Sequence, residues 1–303
     1  MVSIFKRFSS LVIIAFLIIA PISVSAAEGD NVRHKPFVMA YVSDSDMATT
    51  ASEVRAKLIE GGFTIAGEYS PYDGVIDMAV TNAALQAATS QTAFGNFAAA
   101  QRVSLNQKGD KVQVSYSNPN YMALAYRLSG DLAETTASLE AALGAIYPYG
   151  SRKGVQAKTL RNYRYMGFPM FTERFNEPDL LATYASHDEA VAKLEAGLAA
   201  GAGGVSQVYR VDVEGTSDTL FGVGMVDGCS GDAHIMGKVD KAVTKSPGHL
   251  PYEVLVKDNE IYALGARFRI AISFPDLTMA TFGGIMCAPG SIKDALSIAA
   301  AGS

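Results

Sequence analysis

The feature of this sequence that most constrains its fold is an internal repeat in the order of its predicted elements. The first copy opens with an apolar run at 37–42 and continues to Thr-x-x-Glu at 50–53. The second opens with a similar run at 180–185 and continues to Ser-x-x-Glu at 186–189. Both four-residue motifs are capping boxes, in which the hydroxyl accepts from a backbone amide while the glutamate reaches back to the cap. Each copy is therefore predicted to start with a strand followed by an amphipathic helix.

The remaining elements follow in the same order in both copies. Glycines end each first helix, two strands and a second helical stretch come next, and a hairpin and a closing helix complete the copy. The sequence thus predicts an α+β chain of two β-α-β-β-α-β-β units, at 27–143 and 179–303. Helices placed between hairpin-connected strands favour mixed sheets that are covered on one face. The second copy could cover the face left open on the first, giving an intramolecular pseudo-dimer.

This order of elements, with a Gly-Phe step at 62–63 and a hairpin that starts at the Leu-Pro step 250–251, resembles the bacterial domain-of-unknown-function family 302. The resemblance spans nearly the whole chain, as two copies with a joining segment. It implies small α+β domains that associate in pairs, and it implies no particular activity. Members often carry one cysteine after the fourth strand and another after the Leu-Pro step. Cys229 matches the first position, whereas Tyr252 stands at the second.

Residues 1–26 are predicted to form a cleavable signal peptide. A basic pair at 6–7 precedes an apolar run at 11–20, and small residues follow at the spacing that signal peptidase recognises. The run has about half of the ~20 residues that a membrane span requires. We therefore expect cleavage after Ala26 or Ala27, export to the periplasm or beyond the cell, and no membrane span in the mature chain.

The charge of the chain disfavours nucleic acid as a partner. Without the signal peptide, 23 basic residues stand against 30 acidic ones, a net charge of about −7. Such a surface repels phosphate backbones. Glycine-rich phosphate loops, dinucleotide fingerprints and paired catalytic carboxylates are absent from the sequence, so no cofactor is predicted and a non-catalytic role is favoured over an enzyme.

The two cysteines, Cys229 and Cys287, admit two interpretations. In an oxidising compartment, we expect them to form one structural disulfide. Alternatively they are free thiols, and Cys229 with His234 and Met236 would then offer soft ligands that suit copper, or a reactive thiol for an enzyme.

The segment 144–178 belongs to neither copy and is rich in aromatic and basic residues. It is too apolar for a free linker, so we expect it to lie as a strap across the seam between the copies. It could also line a pocket there for an anionic or aromatic molecule. The candidate ligand-binding residues are Arg161, Tyr163, Arg164 and Tyr165 in this segment, together with His249 before the Leu-Pro step.

The leading functional hypothesis is therefore an exported small-ligand-binding or accessory protein with its site at the seam. The alternatives are a metal-binding or thiol-dependent protein centred on Cys229 and His234, and a structural partner of an envelope complex.

Overall fold

The computed structural model describes residues 31–163, 166–167, 170–171 and 173–302. The predicted signal peptide lies outside the described residues. Within them, no helix combines the length and the apolar character needed to cross a bilayer. The chain has the α+β fold expected from its sequence, with helices packed on antiparallel sheets.

The first half of the chain builds a six-stranded sheet with the strand order β3-β4-β5-β6-β2-β7. After a short strand β1 (Arg33–His34), its strands are β2 (Phe37–Ser43), β3 (Thr64–Tyr69), β4 (Val75–Thr81), β5 (Gln101–Lys108), β6 (Lys111–Ser117) and β7 (Tyr147–Tyr149). The helices are α1 (Met47–Glu60), α2 (Ala83–Thr89), α3 (Pro119–Ala125) and α4 (Ala133–Leu143), with a 3-10 turn at Gly95–Ala98.

The second half builds a five-stranded sheet with the order β11-β15-β14-β13-β12. Its strands are β11 (Asp179–Thr183), β12 (Val205–Asp212), β13 (Thr219–Met225), β14 (Tyr252–Lys257) and β15 (Glu260–Ala263). Its helices are α6 (His187–Ala199), α7 (Asp232–Val239), α8 (Ala266–Ser273), α9 (Met279–Gly283) and α10 (Ala288–Ala300), with 3-10 turns at Ala202–Gly204 and Pro247–His249.

The two sheets repeat one strand order, since β12-β13-β14-β15-β11 matches β3-β4-β5-β6-β2 element for element. The mixed pairing expected from the sequence is not seen: every pairing between described strands is antiparallel. The reason lies in α1 and α6, each of which joins two strands at opposite sides of the repeated five-strand unit. Parallel strands are therefore never neighbours.

The first helices begin differently in the two halves. Ser186 caps α6 as its capping box predicts, accepting from the Glu189 amide at 3.2 Å. In the first half the cap is Asp46, and α1 starts at Met47, so the predicted cap at Thr50 is wrong. Thr50 is buried inside the helix and donates to the Ser43 hydroxyl at 3.0 Å. Asp46 accepts from the Thr49 amide at 2.9 Å, and this earlier cap adds a turn to the helix.

Successive side chains along a strand point to opposite sides, so each sheet has an outer and an inner face. On β4, Met78 and Val80 pack outward in a cluster with α1 and α4, while Ala79 points inward. On β14, Val254 packs outward in a cluster with α6 and α10, while Leu255 points inward. The inward residues of both sheets belong to one shared core, which also contains side chains from α3 and α8.

Three contacts across the seam connect elements that occupy equivalent or reciprocal places in the two halves. The edge strands β3 and β12 lie against each other, and a Cβ at Gly67 would meet the Val208 carbonyl at 2.2 Å. Glycine is thus required for this close approach. The 3-10 turn at Pro247–His249 packs on β5, and the turn at Gly95–Ala98 packs on β14.

The joining segment is docked along the body of the protein. Its first part, β7, pairs with β2 and extends the first sheet, so part of 144–178 belongs structurally to that sheet. The next elements are β8 (Val155–Gln156), which pairs with β1, then α5 (Ala157–Arg161), β9 (Met166–Gly167) and β10 (Met170–Phe171). Phe175 lies in the shared core, stacked on Tyr126 at 4.9 Å between ring centroids.

Candidate functional site

A surface cleft of about 560 Å³ opens where the joining segment meets the second half of the chain. One wall is formed by Lys35 and residues 147–152, and the facing wall by segments 239–246 and 274–281. Its apolar surface includes Tyr147, which is 44% exposed, and Val243, which is 76% exposed, so both are available to a ligand. Its volume lies in the range of small-molecule sites in proteins.

Hydrogen bonds between the two walls fix their relative position. Asp276 accepts from the Arg152 amide at 2.6 Å and from the Ser151 hydroxyl at 3.2 Å. The Tyr149 hydroxyl donates to the Lys245 carbonyl at 2.9 Å. Each wall is thus tied to the other by both side chain and backbone. Because these contacts fix the relative position of the two walls, binding would require little ordering of them.

The charged side chains of the cleft are three cations, Lys35, Arg152 and Lys241, and two carboxylates, Asp240 and Asp276. Arg152 Nε lies 3.7 Å from Asp276 Oδ2, and the cleft has a formal excess of one positive charge although the whole chain is acidic. Burial raises the pKa of Asp240 to about 6, against the lowering effect of the Ser246 amide that donates to it at 2.8 Å. Its negative charge is therefore weakened as pH falls through 6, which makes the cleft more positive.

Two of the candidate residues of the joining segment, Arg161 and Tyr163, lie apart from this cleft. Arg161 donates to the Leu128 carbonyl at 3.2 Å, and Tyr163 donates to the Ala271 carbonyl at 3.2 Å, so both tie the segment to the body. Neither lines the cleft. Arg164 and Tyr165 lie outside the described residues. The part of the segment that does line the cleft is its beginning, at 147–152, which the sequence analysis did not single out.

His249 is fully buried, contrary to its expected position at a cleft. Its Nδ1 lies 2.9 Å from the Ser273 hydroxyl and its Nε2 lies 3.0 Å from the Tyr252 hydroxyl. Burial and the nearby guanidinium groups of Arg269 and Arg102 hold its pKa well below the ordinary value. The side chain is therefore neutral. It turns inward because the 3-10 turn that carries it packs against the first sheet.

A group of buried charges occupies the seam beside His249. Glu253 on β14 forms ion pairs with Arg102 on β5 and with Arg269 on α8, whose Nε lies 3.0 Å from Oε2. All three side chains are at most 2% exposed. Arg269 also donates to the His249 carbonyl at 2.8 Å and to the Tyr126 hydroxyl at 3.2 Å. This network links both sheets, and its enclosure excludes direct contact with a substrate.

Two buried carboxylic acids accompany the network. Burial raises the pKa of Asp77 to about 8, although Ser104 and Arg102 pull it downward. Burial also raises the pKa of Asp232 to about 7, against the hydrogen bonds it accepts from the Met225 amide and the Tyr69 hydroxyl, both at 3.1 Å. The Tyr69 contact joins the first sheet to α7.

The cysteines form the predicted disulfide between Cys229 and Cys287, with their Cα atoms 5.9 Å apart. His234 lies beside it: one ligand atom from each of the three side chains falls within 4.8 Å of the others. Met236, the third proposed metal ligand, does not join them. It is 3% exposed in the core of the second half, because two residues along a helix place it on a different face from His234.

Comparison of the chain with protein-family models, curated proteins and solved structures finds no match. The resemblance to the domain-of-unknown-function family 302 therefore stays a prediction.

Lys35, Arg152 and Lys241 were not selected from the sequence because isolated surface cations carry no motif. The available signal was weak. The start of the joining segment is rich in basic and aromatic residues. This composition indicated that the segment lies at the seam, but it did not indicate which side chains would line a cleft there.

Proposed function

We propose that this protein is an exported binding protein for a small organic anion, and that the cleft between residues 147–152 and the segments 239–246 and 274–281 is its binding site. The observation that carries the proposal is the combination of a positive excess with exposed apolar side chains in a cleft braced from both walls. A carboxylate or phosphate ester with an apolar or aromatic body fits this surface. The anionic group would lie toward Lys35 and Arg152, and the body against Tyr147.

Export is supported by the disulfide, because such bridges persist mainly in oxidising compartments. The predicted signal peptide supplies a direct test. Protein recovered from the periplasm or medium should begin at Ala27 or Glu28 when its mass and N-terminal sequence are determined. A chain that keeps residues 1–26 in the exported fraction would contradict cleavage at this site.

The proposed binding is tested by calorimetric titration with benzoate, phenylacetate, hexanoate and phenyl phosphate. We expect at least one of these anions to bind. Reversing either charge, with Lys35→Glu or Arg152→Glu, should weaken that binding at least tenfold, which corresponds to about 1.4 kcal/mol. For benzoate and phenylacetate, which stay mostly ionised at pH 5, we also expect tighter binding at pH 5 than at pH 7, since Asp240 becomes neutral as pH falls through 6.

The matched control is Lys158→Glu, an identical charge reversal on an exposed residue of the same joining segment outside the cleft. It should leave the affinity within twofold. Arg161→Ala should do the same, because Arg161 bonds the Leu128 carbonyl and does not line the cleft. Equal affinity in wild type and both cleft variants, or no binding by any of the four anions, would reject the site.

We further propose that the chain is a tandem duplication of a unit like the domain-of-unknown-function family 302, folded as a pseudo-dimer. The repeated strand order supports this, as does the contact between the equivalent edge strands β3 and β12. In a two-fold interface, equivalent elements meet at the axis and other contacts occur in reciprocal pairs. The two 3-10 turns, each packed on the other half's sheet, follow the second rule.

A further inference from the structure

The disulfide and His234 form a side-chain cluster that the binding cleft does not use. Cys229 lies in the turn after β13, His234 in the first turn of α7, and Cys287 immediately before α10. None of the three lines the cleft. His234 and Cys287 are exposed and Cys229 is half-buried, so the cluster is at the surface.

We propose that reduction of the Cys229–Cys287 bridge creates a binding site for one monovalent copper ion, with Cys229, Cys287 and His234 as its ligands. The oxidised protein cannot bind in this way, because its sulfur atoms are bonded to each other. The bridge therefore acts as a redox gate on metal binding. This inference is independent of the cleft.

The donor set selects the metal. Two thiolates and one imidazole are soft to intermediate ligands, which favour monovalent copper over magnesium, calcium or manganese. Structural zinc sites are almost always closed by four protein ligands, and zinc held by two cysteines and one histidine needs a water as its fourth ligand. Among the described residues, the cluster of cysteine, histidine and carboxylate ligands contains three members. Copper in the monovalent state accepts so low a coordination number.

The geometry requires small movements only. Two sulfurs that share one three-coordinate metal at bonds of about 2.3 Å lie about 4.0 Å apart, and the imidazole nitrogen must approach to a similar distance from each. The three ligand atoms already lie within 4.8 Å of one another. Opening the bridge thus brings them into the range of a shared ion without a change of fold.

The surrounding core keeps the ligands together after reduction. Ile235, next to His234, is fully buried, as are Ile285 and Ala288 on either side of Cys287. All three belong to the same apolar cluster of the second half. The segments that carry His234 and Cys287 are therefore fixed by buried neighbours as well as by the bridge.

The chemical step needs an external reductant, for which we specify a protein dithiol of the thioredoxin class. Its thiolate attacks one sulfur of the bridge, and its second thiol resolves the mixed disulfide. The products are two protein thiols and one oxidised partner, so two electrons and two protons are transferred to this chain. Copper then replaces both thiol protons and takes the neutral imidazole as its third ligand.

The surface around the bridge is suited to such a partner. Val226, in the turn that carries Cys229, is 80% exposed, and Met286, beside Cys287, is 64% exposed. They flank sulfurs that an incoming thiolate must reach.

The test is an anaerobic titration with monovalent copper supplied from a coloured chelator, on full-length mature protein with and without reduction by a phosphine. We expect the reduced protein to take one equivalent of copper from the chelator. The oxidised protein should take none. X-ray absorption should detect sulfur and nitrogen in the copper shell. Loss of an outer-shell partner alone costs a metal site 10–100-fold, so Cys229→Ser or Cys287→Ser should cost about 100-fold or more.

His234→Gln keeps the cysteines and therefore isolates the imidazole. It should weaken copper binding at least tenfold, while the matched change His187→Gln, at the start of α6, should leave it unaltered. Circular dichroism of each variant checks that the fold is kept. Equal copper uptake by oxidised and reduced protein would overturn the redox gate, and unchanged affinity in the serine variants would overturn the site. Unchanged affinity in His234→Gln would overturn the three-ligand set.

Discussion

Replacing Glu253 with glutamine is expected to lower the free energy of unfolding by about 5 kcal/mol, the upper end of what breaking a buried ion pair costs. The carboxylate faces two guanidinium groups, those of Arg102 and Arg269, and all three side chains are almost fully enclosed. The amide would leave both cations without a compensating charge at the seam. Burial and Arg269 already lower the pKa of Arg102, which reports how unfavourable the uncompensated charge is there.

Urea denaturation followed by circular dichroism measures this loss. The matched control is Glu195→Gln, which removes the carboxylate that Arg210 contacts at 2.7 Å on the surface. Because that pair is more than one-third exposed on both sides, its removal should cost less than about 1 kcal/mol. If both variants lost the same small amount of unfolding free energy, the prediction that the buried network stabilises the seam would be wrong. A Glu253→Gln chain that cannot be recovered folded, beside a normal Glu195→Gln, would agree with the prediction.

Alkaline pH is expected to destabilise the protein through Asp77. Its pKa is raised by burial to about 8 in the folded chain, from an ordinary value of 3.8. A carboxyl whose folded-state pKa is raised binds its proton more tightly when folded. Its contribution to stability is complete below the unfolded pKa and is lost as pH rises through the folded one. At 1.36 kcal/mol for each pKa unit, the loss between pH 4 and pH 9 is on the order of 5 kcal/mol.

Asp77→Asn keeps the shape of the neutral acid and removes its titration. We expect the variant to match wild type near pH 4 and to exceed it in stability at pH 9, as measured by urea denaturation at each pH. Asp110→Asn, an exposed aspartate in the β5–β6 turn, should leave the wild-type profile unchanged. Asp232 and Asp240 have raised pKa values of about 7 and 6, so they also make the protein less stable as pH rises. Their contribution remains in both variants. If Asp77→Asn lost as much stability as wild type between pH 4 and pH 9, Asp77 would not be the cause of the loss.

Local patterns in the sequence predicted the elements of both halves with good fidelity. The second helical stretch predicted in the first copy is α2, capped by Asn82, and its counterpart in the second copy is α7. The Ser186 side chain caps α6 as predicted, whereas Glu189 accepts from the Ala185 amide at 3.1 Å, one residue before the cap. The box at Thr50 failed because Asp46 provides an earlier cap, and a short-range pattern cannot rank two competing caps.

The site was less predictable, because its residues converge from distant parts of the chain. Lys35 and Asp276 line the same cleft, and no spacing rule connects them. Composition placed a basic, aromatic segment near the seam, yet Arg161 and Tyr163, the two candidates within it that the structure describes, bond to backbone carbonyls away from the cleft. The soft-ligand cluster was predicted in part. Cys229 and His234 do meet, and Cys287 takes the place assigned to Met236.

The sequence by itself determined the α+β class, the repeated order of elements and the partners in the only cysteine pair, because these depend on periodicity, caps and residue counts. The tertiary structure decided that β7 extends the first sheet, that His249 turns inward, and that Arg102 and Glu253 meet across the seam. Those outcomes depend on which face of each strand is covered by the other half of the chain. Alternation predicts that a strand has two faces, but the partner that buries each face is set by packing between residues far apart in the sequence.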